Sequence, residues 1–159
     1  MLGFDPVTQV LLAWPAGRDS ACHILLNPEK PHGPLPQSYV ESANRAIDYI
    51  VQNLDGDLSL EAVAQAACFS PFHFHRVFRC LMGETLNQFI KRSRLERALY
   101  LMSHGAQRSL TEISLECGFS SSSDFSRNFK QRFGVPPSAF DVNTFRNSRR
   151  EEFERSHAS

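Results

Sequence analysis

The sequence predicts an all-α fold in which two helix-turn-helix subdomains are joined by a long central helix. The strongest observation is an internal repeat. Four residues recur fifty positions further on and, after a one-residue insertion, five more recur fifty-one positions further on. Apolar residues at helical spacing run through both copies, and matches with defined structural roles indicate two copies of one supersecondary unit. The matched residues are Leu60 with Leu110, Val63 with Ile113, Phe69 with Phe119, Ser70 with Ser120, Phe74 with Phe125, Arg76 with Arg127, Phe78 with Phe129, Gly83 with Gly134 and Phe89 with Phe140.

The chain divides into three predicted regions. Residues 1–36 hold six of the nine prolines and no sustained apolar period, which predicts an extended, disordered N-terminal arm. Residues 37–141 form the helical domain, with a first subdomain at about 38–84, a linker helix at about 85–104 and a second subdomain at about 109–141. Residues 142–159 are expected to be a charged C-terminal tail.

The first subdomain begins with a helix whose apolar residues, Ala43 to Leu54, fall three and four apart. Ser59 can cap a short second helix. Ser70 and Pro71 open the third, with a capping hydroxyl and a proline at the first helical position. At 100° per residue this third helix has an apolar face and an opposite face with aromatic and basic side chains. The apolar face carries Phe74, Val77, Phe78 and Leu81, and the opposite face carries Phe72, His75, Arg76 and Arg79.

The linker and the second subdomain show matching start and stop signals. Thr85 with Gln88, and Ser109 with Glu112, are capping-box patterns that open the long linker helix and the first helix of the second copy. Gly118 supplies the turn and Ser121 caps the last helix. The outward face of that helix is predicted to present Ser123, Arg127 and Lys130, and Pro136-Pro137 end it.

Composition limits the possible functions. The 159 residues leave room for one domain or two very small ones, so no large enzyme fits. The 17 basic and 17 acidic residues cancel, so any binding of an anionic partner must use a local patch. Such a patch is available, because residues 37–70 hold one arginine against five carboxylates, whereas residues 71–108 hold seven basic residues against two acidic ones.

The four cysteines indicate a reducing compartment. They lack the short CxxC spacing of zinc and redox motifs, and no signal peptide is recognisable. We therefore expect a cytoplasmic protein in which Cys68, Cys80 and Cys117 are buried and unreactive. The apolar run at residues 10–14 is far shorter than the roughly twenty residues that span a bilayer.

Two stretches resemble the DNA-binding domain of the AraC/XylS family of bacterial transcription regulators. They are ACFSPFHFHRVFRCLMGETLNQFI and, more specifically, CGFSSSSDFSRNFKQRFGVPPSAF, and the similarity covers about residues 38–140. The SSSSDFSR segment is similar to a subgroup that continues into a gyrase-inhibitor-like effector domain. Other relatives are small stand-alone activators of multidrug and oxidative-stress responses.

The resemblance implies a homeodomain-like tandem that binds double-stranded DNA in two adjacent major-groove segments of an asymmetric site. It also implies a bacterial, nucleoid-associated activator, with RNA polymerase as a possible further partner. A monomer or weak dimer is expected, because both recognition helices lie in one chain. By position, the residues expected to read bases are Phe72, His75 and Arg76 in the first recognition helix and Ser122, Ser123 and Arg127 in the second.

The residue types fit these roles. An arginine can donate two hydrogen bonds to guanine O6 and N7, and an aromatic ring can meet a thymine methyl. For Phe72, base contact and simple packing are equally open, and Asp124 either completes a helix cap or accepts from cytosine N4. The serines are short, so we expect the second half to read sequence less strictly. The expected phosphate contacts are Arg79, Lys91, Arg92, Arg94 and Lys130.

Two alternatives remain open. The chain could be a helical protein-interaction module on the same scaffold, or the DNA-binding fragment of a ligand-responsive regulator. His73 and His75 diverge by about 200° on a helix and are not expected to chelate one metal. No catalytic constellation stands out, so we expect no enzymatic activity, no cofactor and no metal.

Overall fold

A computed structural model describes residues 37–104, 108–145 and 147–148, and its regular structure in these ranges is entirely helical. This confirms the predicted all-α class. The arm at residues 1–36 and most of the C-terminal tail lie outside the described residues. No helix in the described ranges is both long and apolar enough to cross a membrane. The elements are α1 (Gln37–Gln52), α2 (Leu60–Ala66), α3 (Pro71–Met82), α4 (Leu86–His104), α5 (Leu110–Glu116), α6 (Ser122–Phe133) and a short 3-10 helix (Pro137–Ala139).

The chain forms two compact units, which divide after Ile90 within α4. The first unit packs α1, α2, α3 and the start of α4 around three fully buried rings, Phe74, Phe78 and Phe89. Phe78 meets Phe89 edge to face, with 5.5 Å between the ring centroids. Such pairs are favourable beyond the burial of their area, so the aromatic spacing of the sequence defines this core.

The second unit has its own aromatic core. Phe125 and Phe129 of α6 are fully buried, and Phe129 also contacts Phe133 and Phe140 at centroid distances of 4.6 and 5.1 Å. Leu95 and Ala98 of α4 and Ile113 of α5 complete it. The phenylalanines of the repeat thus lie in the cores of the two units, with Phe69 and Phe140 only partly buried.

The repeat is visible in the turn between the two helices of each helix-turn-helix. Phe69 N–H donates to the Ala64 carbonyl at 2.9 Å, and Phe119 N–H donates to the Ser114 carbonyl at 3.0 Å. In each turn, the residue before this phenylalanine also donates its N–H to the carbonyl of the residue three positions earlier in the chain. Each turn is therefore a Schellman motif. The prediction that Ser70 matches Ser120 is wrong, because the cap of α3 is Ser70 and the cap of α6 is Ser121. Ser120, which stands between Phe119 and that cap, is therefore the inserted residue.

The central residue of each turn is left-handed. Gly118 has φ +82° and Cys68 has φ +60°, and Cys68 is the only non-glycine residue with positive φ among the described residues. The prediction that Cys68 is buried is wrong. It occupies the left-handed position after the cap of α2, outside the buried helix face, and its side chain is exposed. Cys80 is half-buried and Cys117 is buried, as predicted for Cys117.

Candidate nucleic-acid interface

The first candidate surface is the solvent-facing side of α3. Ser70 caps the helix by accepting from the His73 N–H at 3.4 Å, Pro71 occupies its first turn, and left-handed Gly83 ends it. These signals fix the helix bounds and therefore its register. Four apolar side chains face the core, and the opposite side remains in water. The buried residues are Phe74, Val77, Phe78 and Leu81, and the exposed ones include Phe72, His75, Arg76 and Arg79.

Phe72 and Arg76 form one exposed pair on this surface. The Phe72 ring is 76 % exposed, and the Arg76 guanidinium carbon lies over it, 5.9 Å from the ring centroid. A guanidinium over an aromatic face is held by the ring quadrupole. Phe72 belongs to none of the buried apolar clusters of the described residues, which argues against a simple packing role. An exposed aromatic ring and a guanidinium that can donate two hydrogen bonds therefore lie next to each other.

His73 and His75 lie in different environments. His73 is half-buried and meets the Phe69 ring edge to face at 5.0 Å, whereas His75 is exposed. No group of three or more potential ligands comes together to hold a metal ion in the described part of the chain. His73 therefore contributes to packing under α3, and His75 is available to a partner on its surface.

The second candidate surface is the exposed side of α6. Ser121 caps this helix by accepting from the Asp124 N–H at 3.1 Å, and left-handed Gly134 ends it. Because Phe125 and Phe129 point into the core, the opposite side presents short hydroxyls followed by two cations. The exposed residues are Ser122, Ser123, Arg127 and Lys130.

An ion pair on α6 was not foreseen from the sequence. Asp124 Oδ1 accepts from Arg127 Nη2 at 2.8 Å and from Asn128 Nδ2 at 2.9 Å. Acidic and basic residues three apart on a helix are neighbours, so this spacing was the available signal. Asp124 lies in the first turn, where a carboxylate favours the helix dipole, but its backbone N–H and not its carboxylate bonds to the capping Ser121.

The basic residues of α4 differ in exposure. Lys91 is exposed, whereas Arg92 and Arg94 are half-buried, and Arg92 pairs with Glu96 at 3.0 Å. Burial raises the pKa of the Cys117 thiol to about 11, and the opposing effects of the nearby Arg97 and Arg94 charges are smaller. Cys117 is therefore a neutral thiol at pH 7 and an unreactive part of the second core.

Comparison with known proteins identifies the family. The profile described as a helix-turn-helix domain matches residues 63–142. The chain is 35 % identical over 95 residues to the Transposon Tn10 TetD protein of Escherichia coli, covering 60 % of this chain and 68 % of TetD. It is 34 % identical over 93 residues to the HTH-type transcriptional activator AarP of Providencia stuartii, covering 58 % and 67 %. The chain belongs to the AraC/XylS family.

Solved structures agree with this membership of the AraC/XylS family. The DNA-binding domain of AdpA, crystallised with a target DNA, superposes with a TM-score of 0.60 at 25 % identity, covering 69 % of this chain and 96 % of that one. A probable AraC family regulator from Rhodopseudomonas palustris CGA009 gives 0.55 at 30 % identity, covering 61 % and 91 %. The described helices are therefore those of an AraC-type domain.

The matched region is only part of several larger AraC/XylS relatives. The regulatory protein PocR of Salmonella typhimurium is 33 % identical over 108 residues, which are 68 % of this chain but 35 % of PocR. For the LumQ protein of Photobacterium leiognathi the covered share is 41 %. The chain thus spans about a third to two fifths of the length of these relatives.

Proposed function

We propose that this protein is a sequence-specific DNA-binding transcription regulator that reads two adjacent major-groove segments of an asymmetric site. One observation carries the proposal: the matched arginines Arg76 and Arg127 stand exposed on α3 and α6, while the opposite side of each helix is buried. A helix held by its apolar face and exposing an arginine is suited to a major groove, which admits an α-helix.

Base reading in the first unit rests on three neighbouring side chains of α3. Arg76 donates two hydrogen bonds to guanine O6 and N7, a contact worth about 1–3 kcal/mol of discrimination. Phe72, whose ring lies against the Arg76 guanidinium, uses its exposed ring to contact a thymine methyl. His75, also exposed, donates to or accepts from a neighbouring base edge.

Base reading in the second unit depends mainly on Arg127. Ser122 and Ser123 are exposed in the first turn of α6, where hydroxyls reach phosphate oxygens or bridging water more readily than base edges. The second unit therefore reads fewer positions than the first.

Phosphate contacts are assigned to exposed cations that flank the base-reading residues. Arg79 and Lys130 lie in the last turns of α3 and α6, and Lys91 lies near the start of α4. Arg92 and Arg94 complete the proposed set. Arg92 would exchange its Glu96 partner for a phosphate oxygen. Such contacts position the protein and carry no sequence information.

Further features of the proposal follow from the relatives and the sequence pattern. The name of AarP, a transcriptional activator, supports an activating role. RNA polymerase is the proposed further partner. Binding as a monomer or weak dimer is supported by two reading helices in one chain. The location is the bacterial cytoplasm, on the nucleoid. The SSSSDFSR segment supports membership of the subgroup with a gyrase-inhibitor-like effector domain.

The test begins with selection of bound sequences from a randomised duplex library, using the full chain. Arg76→Ala is then compared with Arg79→Ala, which removes the same charge from the same exposed side of α3. We expect Arg76→Ala to lower affinity about tenfold to a hundredfold for the selected duplex and much less for a scrambled one. Arg79→Ala should weaken both equally and reduce the slope of log K against log salt by about one.

Two results would contradict the proposal. Failure of the library to enrich any sequence would argue against base reading, as would equal losses on specific and scrambled DNA for Arg76→Ala. Salt-insensitive capture of a protein partner, without DNA binding, would instead support the interaction module.

A further inference from the structure

We infer that Asp124 is a specificity-determining positioning residue, which holds Arg127 for base reading and limits its attraction to phosphate. The inference rests on the proposed function, since it concerns how the second reading helix uses its arginine. Asp124 itself touches no base in this scheme and acts through Arg127.

The carboxylate of Asp124 is fixed on both oxygens. Oδ1 accepts from Arg127 and Asn128, and Oδ2 accepts from the Ser120 hydroxyl at 3.3 Å. The Asn128 amide also donates to the Asp124 carbonyl at 2.8 Å, so it clamps backbone and side chain together. The Asp124 side chain is 28 % exposed and that of Arg127 is 78 % exposed. The Asp124 carboxylate is therefore held in place, and the Arg127 guanidinium that it binds remains largely in solvent.

The first unit supports its arginine differently. The residue matched to Asp124 is His73, which packs against the Phe69 ring. Arg76 lies over the Phe72 ring, and the matched residue of Phe72 in the second unit is Ser123. One arginine of the repeat is thus supported by an aromatic face and the other by a carboxylate.

A carboxylate support has two physical consequences. A guanidinium carries five N–H donors, so the bond from Nη2 leaves enough donors for a bidentate contact with guanine, and less rotamer freedom is lost on binding. The negative charge beside Arg127 also opposes the approach of phosphate, because like charges at short range are unfavourable. Asp124 therefore favours guanine over the DNA backbone as the partner of Arg127.

The test is Asp124→Asn, which keeps the size of the side chain and removes its charge. Binding of the full chain is measured on the selected duplex, on the same duplex with the guanine facing Arg127 replaced, and on a scrambled duplex, over a range of salt. We expect binding to the scrambled duplex to tighten about threefold or more, discrimination at that guanine to fall about fivefold, and the salt slope to steepen by about one.

Asp48→Asn is the matched control, because Asp48 is an exposed carboxylate on α1 and the substitution changes the net charge equally. It should shift all three duplexes by the same factor. Asn128→Ala is a second variant, which loosens the clamp without touching the ion pair, and it should lose discrimination in the same direction but less.

A double-mutant cycle separates positioning from general structure. In an Arg127→Ala background, Asp124→Asn should leave discrimination at the guanine unchanged, and a further loss there would overturn the inference. Unchanged discrimination and salt slope for Asp124→Asn alone would also overturn it, while the proposed function stands. If the wild-type chain prefers no duplex at all, the proposed function fails and the inference falls with it.

Discussion

Replacement of Cys68 by glycine should stabilise the first unit. Cys68 occupies the left-handed position of a Schellman turn with φ +60°, where the second unit has Gly118 at φ +82°. A left-handed backbone costs an L-residue about 1–2 kcal/mol. The exposed Cys68 side chain loses little packing when it is removed.

Glycine also has a cost, because it gains freedom in the unfolded chain, worth about 0.4–1 kcal/mol in the opposite direction. The expected net gain in the free energy of unfolding is therefore about 0.5–1 kcal/mol. For a domain of this size, that gain corresponds to a rise in Tm of about 2–8 °C.

The assay is urea and thermal unfolding of the full chain under reducing conditions, followed by far-UV circular dichroism. Cys68→Ala is the control, since it removes the sulfur but keeps the β-carbon and hence the strain, and it should stay within about 0.5 kcal/mol of wild type. Gly118→Ala should destabilise by about 1 kcal/mol. A Cys68→Gly variant no more stable than Cys68→Ala would refute the strain argument.

Two further outcomes concern the second unit. Phe129→Ala removes a fully buried ring that contacts three other rings and should cost about 3–5 kcal/mol, measured by chemical unfolding, and a loss below 1 kcal/mol would contradict that core. The Ser109 N–H and hydroxyl lower the pKa of Glu112 below its ordinary value of 4.5, so the stability that this carboxylate contributes is present above that pH and is lost as pH falls through its lowered pKa. Tm measured from pH 6 to pH 2 should therefore fall less steeply for Glu112→Gln, and parallel profiles would exclude the effect.

The sequence was sufficient to predict helices α1 to α6 and most of their ends, because the signals that set them are local. Ser59, Ser70, Ser109 and Ser121 each cap the helix that the pattern assigned to them. The repeated phenylalanines defined the cores for a similar reason, since helical spacing alone selects the face that they share.

The parts that sequence could not supply depend on side-chain conformation and on backbone strain. The spacing of Asp124 and Arg127 allowed an ion pair, but only the rotamers decide that both carboxylate oxygens are engaged. The prediction that Cys68 is buried is wrong because it rested on the usual burial of cysteine side chains. The turn instead requires a left-handed backbone at that position, whatever the side chain. Half-burial of Arg94 likewise follows from packing around α4.

The bare ring of Phe72 has a thermodynamic consequence. Water at an exposed aromatic surface is released when that surface enters a partner, and the release lowers the heat capacity of the complex. Ions do not screen this contribution, unlike the attraction between cations and phosphates. On the proposed function, the first unit would therefore remain bound to DNA at salt concentrations that dissociate the second unit. The binding enthalpy of the first unit would become more favourable on warming.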